Sequence, residues 1–237
     1  MIFDFMMNDR QQALLRTIVT DYIRTAQPVG SQLIAETGRF KLSPATIRNE
    51  MVELESSGYL RQPHTSAGRV PTAKGYQFYV DHFLQAEPVS RSQERQLTAA
   101  VTAADRGEPD QLKALAKAVA DLADNAVFVG FSASNLYYTG LSNLFSQPEF
   151  VEHDLVRNLS EVIDHLDRVV DEIFSVINQV DVMIGDRNPF GHDCSAIVAK
   201  YQTKTGEGLL GILGPMRMDY QNNLSLIRYS LTLVRGS

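Results

Sequence analysis

The chain has 237 residues, 44% of them hydrophobic and 21% charged, with a formal net charge of −6, a composition that fits a globular protein and excludes a fibre or a disordered chain. No apolar run approaches the roughly 20 residues that span a bilayer, and the opening run Met1 to Met7 is too short for a secretory apolar region and carries Asp4 where a basic flank belongs, so a cytoplasmic location without a membrane partner is expected. Cys194 is the single cysteine, which excludes an internal disulfide and a Cys-rich zinc site; neither a metal nor a cofactor is expected.

The charge is unevenly placed. Residues 1–84 carry 9 Lys and Arg against 8 Asp and Glu, a net of +1, whereas residues 85–237 carry 13 against 20, a net of −7. An acidic average therefore does not exclude nucleic acid, because binding is set by the contacting face.

Asn8 precedes Asp9-Arg10-Gln11-Gln12, and Leu14, Leu15, Ile18, Val19, Tyr22 and Ile23 recur at helical spacing until Gln27-Pro28, which predicts a first helix. Ser31 is expected to cap a short second helix through Leu33, Ile34 and Ala35, ended near Gly38. Ser43, with Pro44 at the first helical position, opens a third, in which Ile47, Met51, Leu54 and Glu55 keep a 3–4 rhythm up to Gly58. Three short helices at this spacing predict a helix-turn-helix. Two extended runs follow, Tyr59 to Gln62 and Val70 to Thr72, joined by the small polar loop His64 to Arg69. They read as a β-hairpin, the wing of a winged helix. Thr72 then starts a fourth helix with an aromatic face of Tyr76, Phe78, Tyr79 and Phe83.

Residues 85–125 are expected to be a linker or connecting helices, with Pro88 and Gly107-Glu108-Pro109 as breakers. Beyond them, residues 126–131 and 136–139 predict two paired strands, Glu152 to Gln179 a long helix, residues 181–185, 194–201 and 208–215 three more strands, and Asp219 the start of a closing helix. The order predicts a small antiparallel sheet with helices packed on it, an α+β protein with a DNA-binding domain over 1–84 and a second domain over 126–237.

The first turn of the third helix is polar while a core packs behind it. Ser43 can accept from a first-turn amide and Pro44 has none to orphan, which leaves a helix N-terminus suited to a phosphate. Thr46, Arg48 and Asn49 project from the exposed side, and these are base-reading types: Arg to guanine, Asn to adenine, Thr to a methyl group or a phosphate. The small residues of the following loop allow close approach to DNA, with His64 and Arg69 in reach of phosphates or a minor groove. Taken alone, either feature is also ordinary capping or an ordinary turn.

In the second part, Arg217, Asp219 and Tyr220 read as residues that tie down a strand-to-helix junction. His192-Asp193-Cys194-Ser195 holds nucleophile and base types, yet neighbours on an extended segment point to opposite faces, so Cys194 reads as a buried strand residue. No Gly-rich phosphate loop, His-Glu metal pair or Ser-centred elbow occurs, and no enzyme activity is expected.

The runs Pro28-Val29-Gly30-Ser31, Ser43 to Met51, Leu54-Glu55, Gly58-Tyr59-Leu60, Gln62 to Thr72 and Lys74-Gly75-Tyr76 resemble the N-terminal domain of the bacterial heat-inducible transcription repressor family HrcA. Thr139 to Asn143, Gln147 to Phe150, Ile184-Gly185, Asp193-Cys194-Ser195 and Gly214 to Tyr220 resemble that family's C-terminal motifs. The resemblance implies a winged helix, a GAF-like domain with an inserted dimerisation domain, repression of chaperone operons through an inverted-repeat operator bound as a homodimer, and activity sustained by a GroEL-type chaperonin. The DNA-facing set expected on these grounds is Ser43, Ala45, Thr46, Arg48, Asn49, His64, Thr65, Ser66, Arg69 and Lys74.

Members of that family are longer, and the shortfall falls between the linker and Ala126 or close after it, so a reduced GAF-like domain is expected. The apolar rows Leu155, Leu159, Val162, Leu166, Val169, Ile173, Val176 and Val156, Ile163, Val170, Ile177 fit a helix covering a sheet and also a helix meeting a second copy. A lateral face of that helix, or the aromatic helix from Thr72 to Leu84, is the expected site of the two-fold contact. The alternative function is a regulator whose GAF-like domain senses a small metabolite.

Overall fold

The structure, a computed structural model, describes residues 7–85, 87–104, 107–132, 135–151, 166–177, 179–204 and 206–235. It divides into two compact units, residues 1–84 and 85–237.

In the first unit, the Asn8 side chain accepts from the Gln11 N–H at 3.0 Å while the Gln11 side chain accepts from the Asn8 N–H at 3.2 Å. Two donors that would be orphaned at the start of α1 (Asp9–Thr25) are satisfied together. Leu14, Leu15, Ile18 and Val19 form its buried stripe. The second helix, α2 (Ser31–Glu36), is capped one residue earlier than expected: Gly30 is its N-cap, without a side-chain bond, and Ser31 is helical and buried. The reason lies in the neighbouring Val29, whose pairing with Arg69 holds the approach to the helix extended. Next comes α3 (Pro44–Ser56), capped by Ser43, with Ile47, Met51 and Leu54 buried. Each such fully buried side chain contributes about 1.5–3 kcal/mol. Gly58, at φ +79°, turns the chain out of α3 in the left-handed region that glycine favours.

From there β1 (Leu60–Arg61) pairs antiparallel with β2 (Val70–Pro71). The Thr72 side chain accepts from the Gly75 N–H at 3.2 Å and opens α4 (Ala73–Phe83). Tyr76 is buried, and Phe78, Tyr79 and Phe83 are half-buried among one another.

The second unit is built on five antiparallel strands in the order β4-β3-β7-β6-β5. They are β3 (Ala126–Ser132), β4 (Asn135–Thr139), β5 (Val180–Ile184), β6 (Cys194–Gln202) and β7 (Glu207–Pro215). The segment 85–125, expected as linker or connecting helices, carries α5 (Arg91–Thr102) and α6 (Glu108–Ala123), and both belong to this unit. Leu97 of α5 and Leu112, Leu115, Ala116, Val119 and Ala120 of α6 are buried, which gives the Ala-rich sequence a packing role. A short α7 (Leu141–Phe145) follows β4, and the closing helix is α9 (Tyr220–Arg235). Its first turn is held by Asp219, which accepts from the Asn222 N–H at 3.0 Å.

Of the expected long helix, residues 152–165 lie outside the described residues, and the rest is α8 (Leu166–Phe174). Leu166, Val170, Ile173 and Ile177 join Phe128, Phe190, Ala196, Val198 and Leu209 in one core cluster. Val170, expected on a lateral face open to a second copy, is 0% exposed. Its Cγ1 would stand 3.1 Å from a Cβ placed on Gly130. Of the described members of the two rows, Leu166, Val170, Ile173 and Ile177 are buried in this core, Val169 is partly buried against it, and Val176 at 67% exposure is turned outward. Among the described residues no helix is long and apolar enough to cross a membrane, and no cluster of His, Cys, Asp and Glu is arranged to hold a metal.

Candidate nucleic-acid interface

At the start of α3 the Ser43 hydroxyl accepts from the Thr46 N–H at 3.1 Å and lies 2.9 Å from the Thr46 hydroxyl. Pro44 has no N–H, so the Ala45 amide is the first-turn donor directed past the helix end, where the helix dipole favours an anion. Ser43, Ala45, Arg48 and Asn49 are exposed and Thr46 half-buried, while Ile47 between them is 1% exposed. The first two turns of the helix, with their cap, therefore offer a guanidinium, a carboxamide, two hydroxyls and a backbone N–H on the outer side.

The loop between β1 and β2 is braced from within. The Gln62 side chain donates to the carbonyl oxygens of Thr65 at 3.0 Å and Ala67 at 2.9 Å, and the Ala67 N–H donates to the His64 carbonyl at 2.9 Å. His64, Thr65 and Ser66 are exposed on this braced loop. At its base, Val29 and Arg69 exchange two backbone hydrogen bonds of 2.9 Å each. A Cβ on Gly68 would come within 2.4 Å of the Val29 carbonyl, so this close pairing requires glycine.

Two members of the expected set are placed differently. Arg69 does not face outward: its guanidinium meets the Glu55 carboxylate of α3 at 2.9 Å through both Nε and Nη2, and its side chain is 12% exposed. The sequence places Arg69 in reach of phosphates or a minor groove because the loop's small residues allow close approach; here a carboxylate fourteen residues earlier takes the charge. Lys74 is exposed, yet its Nζ donates to the Ser57 carbonyl at 2.9 Å and sits 4.3 Å from the Tyr59 ring centroid. That puts it at the C-terminal end of α3, roughly 20 Å from the first turn, where a cation complements the helix dipole.

Sequence reasoning passed over Arg39, Lys41 and Arg61, all exposed. Lys41, at φ +49°, stands two residues before the Ser43 cap, and that proximity was the available signal. Gln62, which braces the loop, left no signal, because its partners are backbone carbonyls.

Several polar groups of the second unit turn inward. Arg217 donates to Gln147 at 2.9 Å and forms an ion pair with Glu149, tying the turn after β7 to the 3₁₀ turn Pro148–Val151. Ser195 and Tyr220 hydroxyls meet at 2.7 Å with neither residue exposed. Burial, aided by Asp193, pushes the Cys194 thiol up to about 12, so it is neutral and no nucleophile at ordinary pH. His192 pairs instead with Asp186, at 3.1 Å on the surface.

The comparisons with known proteins agree with this architecture. A family model described as the HrcA protein C terminal domain matches residues 79–223. The chain belongs to the HrcA family. The heat-inducible transcription repressor HrcA of Carboxydothermus hydrogenoformans is 29% identical over 330 aligned positions, covering 94% of this chain and 96% of that protein. Since this chain has 237 residues, stretches of that relative have no counterpart here. The protein of the same name from Thermobifida fusca is 54% identical over 89 residues, 38% of this chain and 26% of its own. A crystal structure described as that of a hypothetical protein at 2.2 Å resolution shares the fold with a TM-score of 0.75 at 20% identity, over 98% of both chains.

Proposed function

We propose that this chain is a sequence-specific DNA-binding transcriptional repressor of the HrcA type, with a winged helix over 1–84 and a reduced GAF-like domain beyond. The observation that carries the reading is the polar, outward first turn of α3 set on a buried apolar stripe. In this reading α3 enters the major groove with its N-terminal turn foremost, as in other helix-turn-helix proteins. Arg48 reads guanine through two parallel donors and Asn49 reads adenine through its amide. Thr46, Ser43 and the Ala45 N–H meet the flanking phosphate, and His64, Thr65 and Ser66 follow the backbone beside the groove. Two copies on an inverted repeat supply the symmetry that such an operator requires.

The relatives' names support repression of heat-inducible genes, and the family resemblance supports control by a GroEL-type chaperonin. A partner that returns an aggregation-prone chain to its folded form raises the active fraction. The test is fluorescence anisotropy of labelled duplexes with purified protein. Arg48→Ala should lose roughly 1–3 kcal/mol on a preferred site and little on unrelated DNA. Equal loss on every sequence would remove base reading by α3 from the account.

A second reading, a metabolite-sensing regulator, is favoured by one feature of the sheet unit. A cleft of about 190 Å³ is lined by Glu108, Lys113, Phe131, Asn135, Tyr201 and Glu207, among others. Saturable calorimetric binding of a small metabolite that alters DNA affinity would support it.

A further inference from the structure

Each acidic residue of α3 is bonded to a neighbouring element. Glu50, 7% exposed, pairs with Arg10 of α1. Glu53 accepts from the Gln11 side chain of α1 at 2.7 Å. Glu55 accepts from the Arg69 guanidinium at the base of the β1–β2 loop and, through its other oxygen, from the Gln62 N–H at 3.1 Å. Three carboxylates thus reach two different elements, α1 on one side and the hairpin on the other. All three lie in the half of the helix beyond the outward first turn.

Geometry makes this arrangement directional. An apolar stripe of Ile47, Met51 and Leu54 fixes which face of α3 is buried but tolerates small rotations and slides, because dispersion contacts have no preferred angle. Charge-assisted hydrogen bonds do have one, and the planar guanidinium of Arg69 donates from Nε to Glu55 Oε2 at 2.9 Å, with Nη2 2.9 Å from the same oxygen as an ion pair. Glu50 adds a penalty against release: its second carboxylate oxygen is buried without a hydrogen-bond partner, so losing Arg10 would leave a buried charge uncompensated. Side chains that read base edges work only within a fraction of an ångström of the right pose.

We propose that Arg10–Glu50 and Arg69–Glu55 form a two-sided clamp that sets the pitch of α3, so that Arg69 is a positioning residue for base discrimination and not a phosphate contact. This rests on the DNA-reading role proposed above. It has an unusual signature, because a phosphate contact and a positioning contact change different measurements. Loss of a phosphate contact weakens every sequence alike and lowers the salt dependence by about one unit of slope. Loss of a positioning contact lowers the ratio of specific to non-specific affinity and leaves the slope in place.

The experiment uses the full chain, with a duplex enriched by the wild-type protein from random DNA and an unrelated duplex of equal length. Glu55→Gln and Arg69→Gln are each expected to lower the affinity ratio roughly threefold to tenfold, with unchanged non-specific affinity and salt slope. The exchanged pair, Glu55→Arg with Arg69→Glu, is expected to recover most of the ratio. Arg10→Gln is expected to act in the same direction from the other side of the helix. A ratio equal to wild type in Glu55→Gln, or a slope lowered by about one unit with the ratio intact in Arg69→Gln, overturns the clamp. Should the wild-type chain enrich no sequence at all, the DNA-reading role itself fails, which is a separate outcome.

Discussion

The two units of this chain treat polar side chains in opposite ways. In the first, Ser43, Arg48 and Asn49 stand exposed at the start of α3, while the acids behind them are committed to Arg10, Gln11 and Arg69. In the second, Ser195, Tyr220, Asn188 and Arg217 turn inward to hold strands and turns together. Hydrogen-bonding groups left outside a well-packed scaffold are available to a partner, whereas groups buried against one another only specify the fold. The contrast supports the proposal that recognition belongs to the first unit.

The strongest way to break the contrast is to put a charge into the sheet core. Val170→Glu should unfold the second unit, at a cost of about 3–5 kcal/mol, since an unpaired carboxylate would be held among Leu166, Ile173 and Phe128. Limited proteolysis with circular dichroism should show residues 1–84 surviving; a folded, stable variant would mean that α8 does not pack as described. In the first unit, Gly68→Ala should cost about 1–3 kcal/mol by forcing the loop base away from Val29. Thermal melts would reveal the loss, and an unchanged melting temperature would deny the Val29–Arg69 pairing.

A gentler comparison uses alkali. The Cys194 thiol, with an ordinary value of 9.0, is raised to about 12, and burial also raises the Tyr201 and Tyr220 phenols above their ordinary value of 10.0. A folded-state value above the unfolded one gives stability that is complete below the unfolded value and lost as pH climbs toward the folded one. The sheet unit should therefore weaken progressively above about pH 9. Denaturant melts followed by near-ultraviolet tyrosine signals should show this, and Cys194→Ala should reduce the slope between pH 9.0 and about 12. Smallest of all, Ser43→Ala should cost about 1 kcal/mol of stability through the lost cap.

Much of this was legible in the sequence where the signal is local. Ser43-Pro44, the turn at Gly58 and the paired strands of residues 126–131 and 136–139 are each decided by neighbours in the chain, and each appears in the structure as expected. The misreadings concern partners distant in sequence. Glu55 and Arg69 are fourteen residues apart and meet only because β1 and β2 fold back. Val170 fitted either a core or a lateral face until the sheet was present to receive it. Residues 85–125 fitted either a linker or connecting helices because alanine carries little hydrophobic signal; they carry α5 and α6, with Ala116 and Ala120 buried. The expected DNA-facing residues were visible as types; their orientation and the pairing of Arg69 required the fold.

The central claim is that the outward first turn of α3 reads bases, and selection of binding sites from random duplex DNA tests it most directly. The account predicts that the wild-type chain enriches an inverted repeat, and that Asn49→Ala enriches the same repeat with preference relaxed at the same position of each half-site. Enrichment of no sequence, or an Asn49→Ala profile indistinguishable from wild type alongside an unchanged Arg48→Ala profile, would contradict it.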